Sequence, residues 1–147
     1  MYKRILVAVD GSDTSTKALV AALQLAREDD ARIRIVHALD EPAYLRGYEY
    51  GGMKVLDIAR EHANKVLNDA AEVARSAGVA ADTCLLEMRT ERLGDVVASE
   101  AGAWQADLVV VGSDGRSGLD RMMLGSGAEQ VLRMAPVPVL VVRGRGP

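Results

Sequence analysis

Ile5-Leu6-Val7-Ala8-Val9-Asp10-Gly11-Ser12-Asp13 and its later counterpart Asp107-Leu108-Val109-Val110-Val111-Gly112-Ser113 decide the fold. Each is an unbroken apolar run, largely β-branched, that stops on a glycine-bearing polar turn. A strand with one wet face alternates apolar and polar residues. A continuous run fits a strand covered on both faces, as in a parallel sheet with helices above and below it. Beyond Asp13, the residues Ala18, Leu19, Ala22, Leu23 and Ala26 recur at the three- and four-residue steps of one helix face. The opening unit is therefore strand, turn, helix.

The same alternation runs outward along the chain. Strands are expected over residues 4–9, 32–38, 83–88, 107–111 and 137–142. Helices are expected at 53–77, 93–103 and 126–134, besides the one after Asp13. The longest carries Leu56, Ala59, Ala63, Val66, Ala70, Val73 and Ala77 at helical steps, and Gly78 stands where a left-handed C-cap belongs. Residues 39–52 read as a polar loop with Tyr44, Tyr48 and Tyr50. Strand–helix alternation implies an α/β fold: an open, doubly wound, five-stranded parallel sheet with helices on both faces. Right-handed crossovers leave few strand orders. Strands 1 and 4 are the most apolar and so central, and the order 3-2-1-4-5 would place them side by side. Ligands in such sheets sit at the carboxyl ends of the strands where the order reverses, between strands 1 and 4.

The length of 147 residues fits a single domain spanning 1–147. With 49% apolar and 27% charged residues the chain can bury a core. A net charge of −3 argues against a protein that coats nucleic acid, and 3% aromatics leave few stacking platforms for single strands. One cysteine, Cys84, rules out an internal disulfide framework and a thiolate zinc cluster. The basic start leads into an apolar run that ends at Asp10, too short for a secretory signal. No stretch approaches the ~20 apolar residues of a membrane span. A cytoplasmic protein without membrane insertion is the expectation.

The informative motif is Gly112-Ser113-Asp114-Gly115-Arg116-Ser117-Gly118, followed by Gly125-Ser126-Gly127. Glycines let backbone N–H groups approach an anion, and the helix that opens at Ser126 presents free donors and a partial positive charge. Arg116 and Arg121 are cations within the same segment, and residues 112–147 carry five arginines against three acids. A second reading needs no ligand: Ser126 and Glu129 form a capping box, and the glycines make turns.

With these residues in view, the chain resembles the universal stress protein family. The nucleotide-binding members carry Gly-x₂-Gly-x₉-Gly-(Ser/Thr), matched by Gly112, Gly115, Gly125 and Ser126. The first strand and turn, Val36-His37-Ala38, the segment from Asp107 to Ser113, and Pro136-Val137-Pro138-Val139-Leu140-Val141-Val142 are similar to the family as well. The resemblance implies an adenine nucleotide alpha hydrolase-like sandwich, usually dimeric, that binds ATP. It places the adenosine against Ala8, Val9, Asp10 and the backbone of Ala38, and the phosphates along Gly112, Ser113, Gly115, Arg116, Gly125, Ser126 and Gly127. Asp10 suits a ribose hydroxyl or a metal-bound water; capping the first helix is its other role. Asp114 departs from the family, where His is common, and beside a triphosphate it faces away or works through Mg²⁺. Gly127 stands where valine is frequent.

Other residues carry less. No P-loop is present, and Gly125-Ser126-Gly127 lacks the third glycine of a dinucleotide fingerprint. His37 and His62 sit in different elements and form no metal pair; His37, at the end of strand 2, is placed to touch adenine, though a hydrogen-bonded structural role suits it better, and a solvated role suits His62. Cys84 reads as core filler, and Trp104 as packing at the end of its helix. Met122, Met123 and Leu124 cover the crevice, meet a partner or fill the core. Pro138 marks an edge strand, whose apolar run from Val137 to Arg143 is covered by pairing with a second copy. The expected function is an ATP-binding, nucleotide-responsive stress module with an unidentified protein partner. A member that no longer binds nucleotide is one alternative, and a weak ATP hydrolase is the other.

Overall fold

The computed structural model describes residues 1–46, 52–113 and 124–144. Its elements run β1 (Arg4–Ala8), α1 (Asp13–Asp29), β2 (Arg32–Asp40), α2 (Glu41–Leu45), α3 (Gly52–Ser76), β3 (Ala81–Met88), α4 (Leu93–Trp104), β4 (Leu108–Gly112), α5 (Ser126–Met134) and β5 (Val139–Val142). The strands form one five-stranded parallel sheet in the order β3-β2-β1-β4-β5, with Leu6 of β1 aligned to Arg34 on one side and to Val109 on the other.

Because successive strand residues point to opposite faces, the continuous apolar runs supply two cores. Ile5, Val7, Leu108 and Val110 join Ile33 and Ile35 beneath α1 and α3. Leu6, Val109, Val111 and Val36 pack beneath α4 and α5 with Val97, Ala101 and Val131. The stripe on α1 is buried as its spacing predicts. On α3 the inward face is Ala59, Ala63, Leu67, Ala70 and Ala74, while Val73 is 39% exposed. The predicted stripe thus matches at Ala59, Ala63 and Ala70, while Leu67 and Ala74 are buried in place of their predicted neighbours Val66 and Val73, a four-residue step in place of the expected three-residue one.

The stretch read as a polar loop is shorter. β2 runs on to Asp40 because β3 still offers partners there, Leu39 to Glu87 and Asp40 to Met88. Asp40 then caps α2 by accepting from the Ala43 N–H at 3.2 Å. Tyr48 and Tyr50 lie outside the described residues. At the last strand, the Pro138 carbonyl still accepts from Val109 N–H at 3.0 Å, although the strand proper starts at Val139. Gly78 follows α3 with φ +73°, the left-handed conformation expected of it.

Trp104 closes α4 at the opposite rim of the sheet from the strand carboxyl ends. The Arg4 and Arg34 guanidinium carbons lie 4.3 and 5.2 Å from its ring centroid, and Arg4 Nε donates to the Trp104 carbonyl. Arg34 forks onto Asp82, its register partner on β3, at 2.9 and 3.0 Å and reaches Glu100 at 2.7 Å. The Asp82 hydrogen bonds, followed by those of Glu100, raise the Arg34 pKa further above its usual range. Cys84 is half-buried against the α4–α5 core, and burial pushes its thiol up, which suits packing rather than reactivity.

Candidate functional site

The strand order reverses between β1 and β4, and their carboxyl ends diverge there. A cleft of about 330 Å³ opens at that point, within the range of small-molecule sites. Its walls come from separate elements: Ala8 at the end of β1 with Val9 and Asp10 after it; His37, Ala38 and Asp40 at the end of β2; Met88 from β3; Leu93 and Val97 from α4; Gly112 from β4; and Gly125, Ser126, Gly127 and Val131 at and within α5. Ser15 of α1 completes the turn side.

The β1–α1 turn is held by short-range polar contacts. Ser12 is the N-cap of α1: its side chain accepts from the Ser15 N–H. Asp10 Oδ1 accepts from Ser12 N–H at 2.9 Å, and the Asp10 N–H donates to Ser15 Oγ at 3.2 Å. The capping role offered for Asp10 therefore belongs to Ser12, while Asp10 braces the turn with one carboxylate oxygen. Its second oxygen has no hydrogen-bond partner among the described residues. Gly11 takes φ +84°, which carries the chain from strand to helix within this turn.

Across the cleft, α5 spans Ser126–Met134, the residues expected of it, but Ser126 is not its cap. Gly125 is the N-cap, with no side-chain cap bond, and Ser126 is the first helical residue. The Ser126–Glu129 capping box is absent for that reason. Glu129 instead pairs with Arg133 at 2.7 Å. The first helical hydrogen bond runs from Glu129 N–H to the Gly125 carbonyl, and Gly125 N–H donates to the Ser113 carbonyl at 2.7 Å. The N–H groups of Ser126, Gly127 and Ala128 have no partner among the described residues, which leaves a cluster of donors at the positive end of the helix dipole.

Of the residues singled out by sequence, Ala8, Val9, Asp10, Ala38, Gly112, Gly125, Ser126 and Gly127 line this one cleft. Ser113 is buried beside it and ties β4 to β5 through its N–H and the Val142 carbonyl at 2.8 Å. Gly115 and Arg116, with Asp114, Ser117, Gly118, Arg121, Met122 and Met123, lie outside the described residues. Gly112 has a packing reason of its own: a Cβ there would meet Thr14 Cγ2 at 2.8 Å and the Thr14 backbone at 3.2 Å. A Cβ at Gly127 would meet Leu93 Cδ2 at 2.7 Å, so Leu93 fills the space of a larger side chain. Asp40, Ser15, Met88 and Leu93 were missed. Only pairing between distant strands and helices brings them to the cleft.

Among the described residues, the cleft has two carboxylates, Asp10 and Asp40, and no lysine or arginine. No group of three His, Cys, Asp or Glu side chains among them is placed to hold a metal ion. The cleft offers an apolar slot, a carboxylate oxygen at one end and backbone donors at the other. Those features fit a base, a hydroxyl and a phosphate in turn.

Residues 1–143 match the model of the family described as "Universal stress protein family". The chain belongs to the universal stress protein family. The Bacillus subtilis universal stress protein YxiE is 39% identical over 153 residues, covering 97% of this chain and 100% of the relative. A universal stress protein family structure from Burkholderia pseudomallei shares 34% identity with a TM-score of 0.78, covering 97% of this chain and 96% of that one. The universal stress protein from Archaeoglobus fulgidus in complex with dAMP shares 27% identity at a TM-score of 0.73, over 97% and 98% of the two chains. Among the described residues no helix is long and apolar enough to cross a membrane.

Proposed function

We propose that the cleft is the site of an ATP-binding universal stress protein that acts as a nucleotide-responsive stress-response module. The base lies against Ala8, Val9 and Ala38. The free oxygen of Asp10 accepts from a ribose hydroxyl, and the phosphates follow Gly112, Ser113 and the start of α5. Beyond the first phosphate the path continues over Gly115 and Arg116, with Mg²⁺ accompanying the triphosphate. The observation that carries the reading is the set of N–H groups at Ser126, Gly127 and Ala128, without a partner among the described residues, in a cleft that Asp10 also lines. The relative that holds dAMP supports it.

The test is direct. Purified protein is denatured and the supernatant assayed for released adenine nucleotide. The apo form is then melted with ATP and Mg²⁺, or with AMP. Ligand at about 100 times its Kd adds about 2.7 kcal/mol, a rise of roughly 5–11 °C for a chain of this size. No released nucleotide and no shift up to millimolar ligand would favour the second reading, a member that works through protein contacts alone. That reading draws on the two carboxylates and the lack of a described cation in the cleft lining.

We also propose a homodimer through residues 137–143, in the cytoplasm, with a protein partner that responds to nucleotide. β5 is an edge strand whose outer side has no described partner; its own Leu140 is 37% exposed and Leu132 of α5 46%. Leu140→Asp together with Val139→Asp is expected to convert the dimer to monomer in sedimentation; an unchanged mass rejects this interface.

A further inference from the structure

A second cavity lies on the face of the sheet opposite α4 and α5. α1 packs chiefly on β1 and β4, and α3 on β2 and β3, so the two helices straddle the boundary between β1 and β2 and leave a slot between them. The slot holds about 280 Å³, just under the usual span of small-molecule pockets. One wall is a stripe of α3: His62, Val66, Asp69 and Val73 follow one another at steps of four, three and four, which is one face of a helix. The stripe beside it, Ala63, Leu67, Ala70 and Ala74, is the one that the sheet buries.

Val66 and Val73 are therefore apolar side chains beyond those the sheet needs. Val66 is half-buried and Val73 is 39% exposed. Val9 and Leu19, both buried, give the slot an apolar floor. At its mouth Lys65 and Asp69 pair at 2.9 Å, so these two charges cancel. On the α1 side the Thr16 hydroxyl donates to the Ser12 carbonyl at 3.1 Å. The Thr16 oxygen has no donor of its own among the described residues and is left to accept. The slot thus combines aliphatic walls, one hydroxyl acceptor and a mouth whose lysine and aspartate already satisfy each other.

We propose that this slot is a second ligand site, for an uncharged aromatic compound of one or two fused rings with a single N–H or O–H donor. Two facing helices make a narrow space, which suits a flat ring. An aliphatic cavity of ~150 Å³ takes one benzene ring, so the volume here accommodates two fused rings. The donor of the ligand meets Thr16 Oγ1. A charged ligand is disfavoured, because it gives up water at the apolar floor while Lys65 and Asp69 hold each other. The site does not rest on the nucleotide reading: the β1–α1 turn separates it from the first cleft, and the two linings share only Val9 and Ser15.

The test is a titration of indole into the intact protein, followed by NMR of isotope-labelled valine and leucine methyl groups. Indole is expected to move the signals of Leu19, Val66 and Val73 together and saturably, with a Kd of about 1 mM or tighter. Val36 and Val111, which line the first cleft, stay still. Val73→Gln alters an exposed position, keeps the fold and weakens indole by about fivefold or more, through lost apolar contact. 1-Methylindole, which lacks the donor, binds about three- to tenfold more weakly, as for one neutral hydrogen bond. Indole-3-acetate and tryptamine, which add a charge of either sign, also bind more weakly than indole. Shifts that grow without saturating up to about 5 mM overturn the site. So do shifts at Val36 and Val111 with Val66 and Val73 unmoved, and so does undiminished affinity in Val73→Gln. Indole-3-acetate or tryptamine binding as tightly as indole overturns the uncharged class, and equal affinity for 1-methylindole overturns the contact with Thr16.

Discussion

Replacing Gly94 and Gly102 by alanine, one at a time, makes the same chemical change at two points of α4 and is expected to move stability in opposite directions. Alanine is a better helix former than glycine by about 0.5–1 kcal/mol in a helix interior. At Gly102 nothing lies within 4 Å of the added Cβ and the site is exposed, so this gain is realised nearly in full. At Gly94 the Cβ would sit 2.7 Å from Gln130 Cβ and 2.9 Å from the Gln130 carbonyl carbon and oxygen. Two of those three atoms are α5 backbone, which no rotamer change can move. Carbon contacts prefer about 3.5–4.0 Å, so α4 and α5 must part by several tenths of an ångström. The bond from the Gly94 N–H to Gln130 Oε1, now 3.0 Å, is strained as they do. Overpacking of this kind costs about 1–3 kcal/mol, more than propensity returns. Urea unfolding with an unchanged m-value is the assay. Gly102→Ala should raise the midpoint and Gly94→Ala lower it, with a melting-temperature loss of roughly 2–4 °C per kcal/mol. Gly94→Ala should also weaken nucleotide binding, since α5 carries Ser126 and Gly127. A Gly94→Ala protein as stable as the wild type would refute the close helix approach.

Asp10→Asn keeps an oxygen for the Ser12 N–H but presents an amide to the ribose. AMP affinity in calorimetric titration is expected to fall about ten- to a hundredfold with little change in melting, as for loss of a hydrogen bond to a charged group; unchanged affinity places the ribose elsewhere. Arg34→Ala should cost about 1–3 kcal/mol in urea unfolding, because Glu100, 19% exposed, loses its partner and Trp104 loses a stacked cation. Arg34→Met, which restores the packing and not the charge, should recover only part of this. The Glu91 carboxylate accepts from the Thr90 N–H at 2.9 Å, and this and further backbone and hydroxyl bonds hold its pKa below the usual glutamate range. Its stabilisation is therefore present above about pH 4.5 and lost as pH falls through the lowered value. Glu91→Gln should flatten the acid limb of the stability–pH curve, with the two proteins converging below the lowered carboxyl value; parallel curves would reject this.

How much was legible before folding differs by element. The runs 5–9 and 107–111 announced buried parallel strands because burial on both faces leaves a local mark, an unbroken apolar string. The stripe of α1 and the left-handed Gly78 were equally local. The end of β2 was not, since Leu39 and Asp40 are strand only because Glu87 and Met88 lie opposite. Ser126 looked like a cap beside Glu129. Gly125 holds that position, with its N–H on the Ser113 carbonyl.

By itself the sequence determined the parallel sheet, its central strands and the rim where a ligand would bind, because periodicity and turn chemistry act over a few neighbouring residues. The tertiary structure decided what that rim presents. It brought Asp40, Met88 and Leu93 to the cleft, gave Gly94 its purpose against Gln130, and set Nδ1 of His37 2.7 Å from the Val9 carbonyl. Each of these is a contact between residues tens of positions apart, and such outcomes depend on where the strands end relative to one another in space.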